Sequence, residues 1–391
     1  MRGTRHTTVV EGHCTAVAVC HGRRMGFSCG IVGLPNVGKS TLFNCLSSAR
    51  ADAANYPFCT IEPNVGIVEV PDARLAALAG VVHPQKVIPT TTRFVDIAGI
   101  VRGASKGEGL GNKFLSHIRD VDAICHVVRC FTDSNVVHVD GAVNPARDVE
   151  TIETELVLAD LESVEKRLER AVKMAKGTDP VEKKAVGFCT ELKAHLDQGK
   201  PARSFKAGDD EDLKKVLHEM HLLTVKPTLF VANVDEGGFD PASNPPLNGL
   251  VELAKSRGDE VLPLCAKIES EVAELPPEER KEFLASLGMK ASGLDRLIQA
   301  GYRILGLASY LTAGEKEVRA WTITKGMKAP QAAGVIHTDF ERGFIKAEVI
   351  WWEDFVALGG EARCREAGKL RLEGKEYVVR DGDVMHFKFN V

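Results

Sequence analysis

Cys29-Gly-Ile-Val-Gly33-Leu-Pro-Asn36-Val37-Gly38-Lys39-Ser40-Thr41, running on into Leu42–Leu46, decides the fold of this 391-residue chain. A strand-like apolar run, Phe27 to Val32, turns through Gly33-Leu-Pro-Asn-Val-Gly-Lys-Ser into a helical pattern. That turn fits G-x-x-x-x-G-K-[ST] without a mismatch, and a strand before it with a helix after it is the context that gives the motif meaning. A chance glycine-rich turn would lack that context. The glycines let the backbone curl until its N–H groups face a β-phosphate, and the helix N-terminus adds partial positive charge. Lys39 is placed to reach the β- and γ-phosphates, and the Ser40 hydroxyl to ligate magnesium.

Outward from this turn, strand candidates follow at Val65–Val70, Thr92–Asp96, Ala123–Val128, Thr228–Ala232 and Val261–Cys265, with helical stretches between several of them. Such alternation predicts an α/β fold with a mostly parallel sheet and helices on both faces. In Phe94-Val-Asp96-Ile-Ala-Gly99 the aspartate closes a strand. Its carboxylate can hold a magnesium-bound water while the Gly99 N–H senses the γ-phosphate. Thr60, in Tyr56-Pro-Phe-Cys-Thr-Ile-Glu-Pro-Asn64, sits in a loop that can close on the metal when triphosphate binds. Ile100 stands where many such enzymes place a water-orienting glutamine, which predicts slow turnover; His138 is a candidate substitute, since a neutral imidazole can accept a proton.

After Thr228–Ala232 comes Asn233-Val234-Asp235-Glu236, where guanine-specific relatives of this motif carry Asn-Lys-x-Asp. Valine cannot cover the base as a lysine stem does, and the longer glutamate need not reproduce the bidentate contact to guanine. Adenine can be read instead by backbone groups near Val234, so the loop favours ATP while leaving GTP open. Cys265-Ala-Lys267 is a candidate wall of the base pocket.

Arg147 to about Leu223 breaks the alternation. Val157, Leu161, Val164, Leu168 and Ala171 form a heptad-type seam, Gly177-Thr-Asp-Pro180 ends it, and Phe188, Leu192 and Leu196 begin a second stripe. This pattern predicts an inserted helical hairpin. A second boundary falls near Leu307–Thr312. Strand-like runs then follow at Glu317–Ile323, Phe344–Ile350, Glu376–Val379 and Val384–Phe389, with helical segments at Pro330–His337 and around Trp352–Val356. They predict a small α+β module.

Composition sets the outer bounds. The apolar share is 44% and the charged share 27%, as in ordinary globular proteins, and the net charge of −4 excludes whole-surface attraction to nucleic acid but not a local basic patch. The ten cysteines form no C-x-x-C pair, which reads as reduced core thiols in a cytoplasmic protein. No apolar run is long enough to cross a bilayer, so no membrane partner is expected. Residues 1–24 read as an unstructured extension or a misplaced start, with Met25 a natural alternative beginning.

From Met25 to Val391 the chain resembles the YchF-type proteins, the Obg-like ATPases. The resemblance is carried by the Gly33–Thr41 turn, Ala54–Asn64, Asp96–Asn112, Asn233-x-x-Glu236, Lys316-Glu-Val-Arg-Ala-Trp-Thr-Ile323 and Ala329–Ile345. It implies a translation-factor-class domain over 25–306 with an antiparallel coiled coil inserted at about 147–223. It also implies a C-terminal β-grasp module of TGS type over 307–391. Carried over, Asn36 to Thr41 form the phosphate loop, Ser40 and Thr60 ligate Mg2+, Val234 contacts the base, and His138 matches a histidine suspected of aiding hydrolysis. The implied protein is a slow, monomeric ATPase switch that binds the ribosome or its large subunit, with rRNA or tRNA contacts through the helical insert and the TGS-like module. Lys166, Arg167, Arg170, Lys173 and Lys176 in the insert, and Lys316, Arg319, Lys325, Lys328, Arg342 and Lys346 beyond it, are the candidate cations. A GTPase of ribosome assembly and a constitutive, nucleotide-stabilised RNA-binding protein remain the other readings.

Overall fold

The structure, a computed structural model, describes residues 27–48, 64–97, 110–133, 136 and 141–390. The 1–24 extension, Thr60, Gly99, Ile100 and His138 lie outside the described residues. The chain first lays down β1 (Ser28–Val32), α1 (Lys39–Ser48), β2 (Val65–Glu69), α2 (Ala73–Val82), β3 (Lys86–Ile88) and β4 (Thr91–Asp96). Next come α3 (Leu110–Asp120), β5 (Ala123–Arg129), α4 (Pro145–Met174), α5 (Pro180–Asp197), α6 (Glu211–Glu219) and β6 (Thr228–Asn233). They are followed by α7 (Pro245–Arg257), β7 (Glu260–Leu264), α8 (Ala266–Glu274), α9 (Pro277–Ser286) and α10 (Gly293–Ile304). The C-terminal part adds β8 (Leu307–Ala313), β9 (Glu317–Thr324), α11 (Ala329–Ile336), α12 (Thr338–Arg342) and β10 (Phe344–Trp351). It ends with α13 (Trp352–Leu358), α14 (Glu361–Glu366), β11 (Arg371–Glu373) and β12 (Asp383–Phe389).

Six strands form the first sheet in the order β2-β4-β1-β5-β6-β7. All neighbours are parallel except β2, which runs antiparallel to β4. β5 and β6 are buried along their whole length, as continuous apolar runs must be when helices cover both faces. Ile31, Phe94, Leu42, Leu46 and Ile118 pack one core, and Val128, Phe230, Leu247, Leu250 and Ile268 pack another. The chain leaves β1 between β4 and β5, so the sheet's topological switch point lies beside the Gly33 turn, where open α/β sheets bind ligands.

The insert is a hairpin of α4 and α5. Asn144 caps α4 by accepting from the Arg147 N–H, Asp179 caps α5 by accepting from Val181, and Pro145 and Pro180 begin the two helices. Val157, Val164 and Ala171 meet Ala185, Phe188, Cys189, Leu192 and Leu196 in a seam to which Leu161 and Leu168 contribute partly buried side chains. At the root, the buried Asp160 carboxylate accepts from the Leu223 and Thr224 amides (2.7 and 2.8 Å) and the Thr224 hydroxyl (2.6 Å). Glu153 of α4 pairs with Arg203 (2.6 Å) and with Arg257, and Arg203 also holds Asp259 (2.9 Å).

Against this root lies His126 of β5, buried at 3% exposure, its ring 5.5 Å from that of Phe230. Burial lowers its pKa from 6.5 to about 4, with Glu153 opposing and Arg203, Lys39 and Arg257 assisting. A folded-state pKa below the unfolded one means the neutral ring contributes full stability above pH 6.5. That contribution is lost as pH falls through the window down to about 4. The loss should reach about 3 kcal/mol. Denaturant unfolding at pH 7 and at pH 4.5 should therefore differ less in His126→Gln than in the parent protein; equal differences would remove this histidine from the account of acid sensitivity.

The second sheet has the order β11-β10-β12-β8-β9-β3. Ala329, Ala332 and Ala333 of α11 cover one face over Tyr310 and Phe387; Leu75 and Leu78 of α2, Phe355 of α13 and Cys364 of α14 pack at the other with Leu311, Val318 and Val384. Two features differ from the sequence reading. Glu376–Val379 is not a strand: it makes one bridge, Lys328 to Val378, while the shorter Arg371–Glu373 pairs along β10. And β3, from within the first 306 residues, forms the parallel edge of this sheet.

Candidate functional site

The turn after β1 is held from behind by its neighbours. A Cβ at Gly33 would stand 2.5 Å from the Val127 carbonyl, and one at Gly38, where φ is +99°, would stand 2.4 Å from Asn233 Nδ2. Only glycine fits either place. Leu42 donates to the Gly38 carbonyl at 3.0 Å, so the amides just ahead of it, in the first turn of α1, have no carbonyl partner within the helix. Asn36, at φ +62°, Ser40 and Thr41 are exposed there, while Val37 anchors the loop in the core.

Lys39 is 9% exposed, its Nζ folded back on the carbonyls of Gly33 (2.9 Å) and Leu34 (2.8 Å). Burial lowers its pKa and the Asp96 carboxylate opposes that shift. Asp96 ends β4 directly beside Ile31 of β1. Burial raises its pKa, opposed by the Lys39 ammonium. Each charge is thus disfavoured by its surroundings and supported by the other. Asp96 Oδ1 is buried and meets no hydrogen-bond donor among the described residues. A carboxylate oxygen without a donor, on the strand beside the one that leads into the phosphate turn, fits a hard, oxygen-seeking cation such as magnesium. Thr60 and Gly99, the other residues expected here, lie outside the described residues, as does His138.

The base-reading loop is closely tied into the fold. The Val234 side chain is buried with Val128, Phe230 and Cys265, and its N–H donates to the Leu264 carbonyl at 2.9 Å. Continued alternation after β6 turns its side chain inward, and pairing with β7 takes its own amide, which leaves neighbouring backbone groups of the loop for a base. Asn233 is also committed. Its Nδ2 donates to the Val37 carbonyl and its Oδ1 accepts from the Ala266 N–H, both at 3.0 Å, so it ties the phosphate turn to the start of α8. The sequence placed Asn233 in the loop but gave no sign of this double tie. Glu236 remains at the surface, paired with Lys267 at 2.6 Å, the two side chains 58% and 71% exposed.

The basic residues divide as well. Arg167 is withdrawn from any partner by a half-hidden ion pair to Glu182, both side chains 10% exposed. Lys166 pairs with Glu162, Lys328 with Glu376, and Arg319 lies over the Trp321 ring at 3.9 Å. Arg170, Lys173 and Lys176 are exposed and make no ion pair among the described residues. The described cysteines, Cys29, Cys45, Cys125, Cys130, Cys189, Cys265 and Cys364, are all buried free thiols.

Comparisons with known proteins agree with this arrangement. Residues 28–174 match the family model MMR_HSR1, described as a 50S ribosome-binding GTPase. Residues 307–390 match the model YchF-GTPase_C, described as a protein of unknown function (DUF933). The chain is 59% identical over 368 residues to the protein named ribosome-binding ATPase YchF in Bacillus subtilis, covering 94% of this chain and 100% of that one. Its counterpart in Escherichia coli O157:H7 is 54% identical over 367 residues, again covering 94% and 100%. Among solved structures, the YchF GTPase of Schizosaccharomyces pombe superposes with a TM-score of 0.83 at 40% identity, covering 94% of this chain and 99% of that one. Shared sequence over nearly the full length, shared fold and an intact phosphate turn place this chain in the YchF family of P-loop nucleoside triphosphatases.

Proposed function

We propose that the protein hydrolyses ATP in preference to GTP, slowly, and that its nucleotide state governs engagement with the ribosome's large subunit. The observation that carries the first part is a buried Lys39 and a donor-less Asp96 oxygen at a turn whose amides open a helix. A triphosphate entering the turn gives those amides acceptors and draws Lys39 Nζ off the Gly33 and Leu34 carbonyls onto phosphate oxygens. Magnesium, when bound, would be held by Ser40, by Thr60 and, through water, by Asp96; it neutralises charge on the phosphates. In this reading Gly99 senses the γ-phosphate, and Ile100 leaves water positioning to His138 or to an arriving partner.

The case for adenine rests on Glu236. At the surface and paired with Lys267, it does not offer guanine the short, fixed carboxylate of an Asn-Lys-x-Asp loop. Backbone groups beyond Val234 then read the base. Competition of ATP against GTP at equal concentration, with magnesium, tests this: ATP should be retained by at least tenfold, about 1.4 kcal/mol. Equal or reversed retention would favour the GTPase reading.

The ribosomal role rests on relatives named ribosome-binding ATPases and on Arg170 and Lys173 in the outer half of α4 with Lys176 just beyond it. In this proposal residues 25–306 bind nucleotide, the insert at 147–223 and the module at 307–391 meet rRNA or tRNA, and the protein works as a cytoplasmic monomer.

A further inference from the structure

β2 and β4 form an antiparallel ribbon whose two ends have different surroundings. At one end Asp96 donates its N–H to the Asn64 carbonyl (2.9 Å), and Ile97 donates to the Ile31 carbonyl of β1 (3.1 Å). This is the end that carries the donor-less carboxylate oxygen. At the other end the Val70 N–H donates to the Thr90 carbonyl at 2.8 Å, closing a neck. Everything between those two residues leaves the first sheet.

What leaves is α2 and β3, and both belong to the C-terminal module by packing. Leu75 and Leu78 are buried among Leu311, Val318, Phe355 and Val384. Arg74 holds Asp72 at 2.7 Å and reaches Asp381 at 3.1 Å. The Gln85 N–H donates to the Glu315 carbonyl at 3.1 Å. Lys86, Val87 and Ile88 then pair in parallel with Glu317, Val318 and Arg319 of β9. α2 is firmly seated in the module's core. β3 is not: it is three residues long and Val87 is 46% exposed, so its rungs are the ones that can open at low cost.

We propose that the β2–β4 ribbon transmits the state of the phosphate site to the C-terminal module, with the β3–β9 seam as the contact that responds. The proposal rests on the reading that the Asp96 end meets magnesium–triphosphate. Six residues of β4 span about 20 Å between that end and the neck. A hydrogen-bonded ribbon resists stretching, so displacement at Asp96 passes to Thr90 and on to the shortest pairing beyond it. Linkage makes the effect mutual: any ligand on the C-terminal module that favours one seam state alters nucleotide affinity by the same factor.

Hydrogen exchange by mass spectrometry on the full-length protein, with and without magnesium and adenylyl imidodiphosphate, tests this. Exchange should slow at 33–41, and rates at 86–88 and 317–319 should change by about threefold or more. Slowing at 33–41 with an unchanged seam overturns the ribbon and leaves the nucleotide reading intact. No slowing at 33–41 at saturating nucleotide overturns both. In Val87→Pro, which removes an N–H from an exposed edge strand, the response at 317–319 should vanish while 33–41 stays protected; a surviving response overturns the proposal. Should that variant fail to fold, Arg74→Ala, which cuts the contact with Asp381, should reduce the seam response at least by half, and an undiminished response counts equally against it.

Discussion

Replacing Lys39 with alanine should lower phosphate release from ATP by on the order of 10² to 10³-fold. The side chain is buried at the turn with its ammonium on two loop carbonyls, and it is the cation whose field opposes the raised pKa of Asp96. Charge that builds on the β–γ bridge during cleavage has no substitute for it. The loss should fall on turnover more than on affinity, because the loop amides still grip the ground-state phosphates. Phosphate release under saturating ATP, alongside equilibrium titration, separates the two effects. Turnover within tenfold of the parent protein would mean that Lys39 is not the group that matters. The same variant also divides a switch from a constitutive binding protein, since only the switch loses its cellular role with its turnover.

Asn233→Ala should cost about 2–5 kcal/mol of stability, because it orphans the Ala266 N–H and the Val37 carbonyl together in a place that is 5% exposed. Nucleotide affinity should fall with it, since the tie fixes the phosphate turn against the start of α8. Asn233→Asp is the informative companion. It keeps an acceptor for Ala266 but sets a carboxylate oxygen against the Val37 carbonyl and buries a charge, so it should be no milder than alanine. Urea unfolding of the three proteins decides the matter. An alanine variant within 0.5 kcal/mol of the parent, about the scatter of surface substitutions, would show the tie to be dispensable.

What the sequence announced were features written in neighbouring residues. The strand–turn–helix around Gly33–Ser40, the strand ending at Asp96 and the Val157–Ala171 seam each carry their period or their spacing in one short window. What escaped it depends on partners far along the chain. The two acceptor–donor pairs of Asn233 lie at Val37 and Ala266, and nothing near residue 233 foretells them. Arg167 looked like one more solvent cation until the hairpin's register set Glu182 against it. Glu376–Val379 has the apolar composition of a strand, yet Val378 is 48% exposed, and the partner edge of β10 is already taken by Arg371–Glu373. β3 is too short to show any alternation, so its membership of the second sheet is visible only in three dimensions.

The hairpin of α4 and α5 has a geometrical corollary. α4 alone has thirty residues, about 45 Å of helix, and its ion pairs to Arg203 and Arg257 sit near one end. It is a cantilever, clamped at the sheet and unsupported at Gly177. The free length from Glu153 to Met174 is about 32 Å, so a tilt of about 5° at the clamp sweeps the far end through about 3 Å, the length of a hydrogen bond. Rearrangements too small to alter the packing of the first sheet are therefore enough to make or break contacts at the tip.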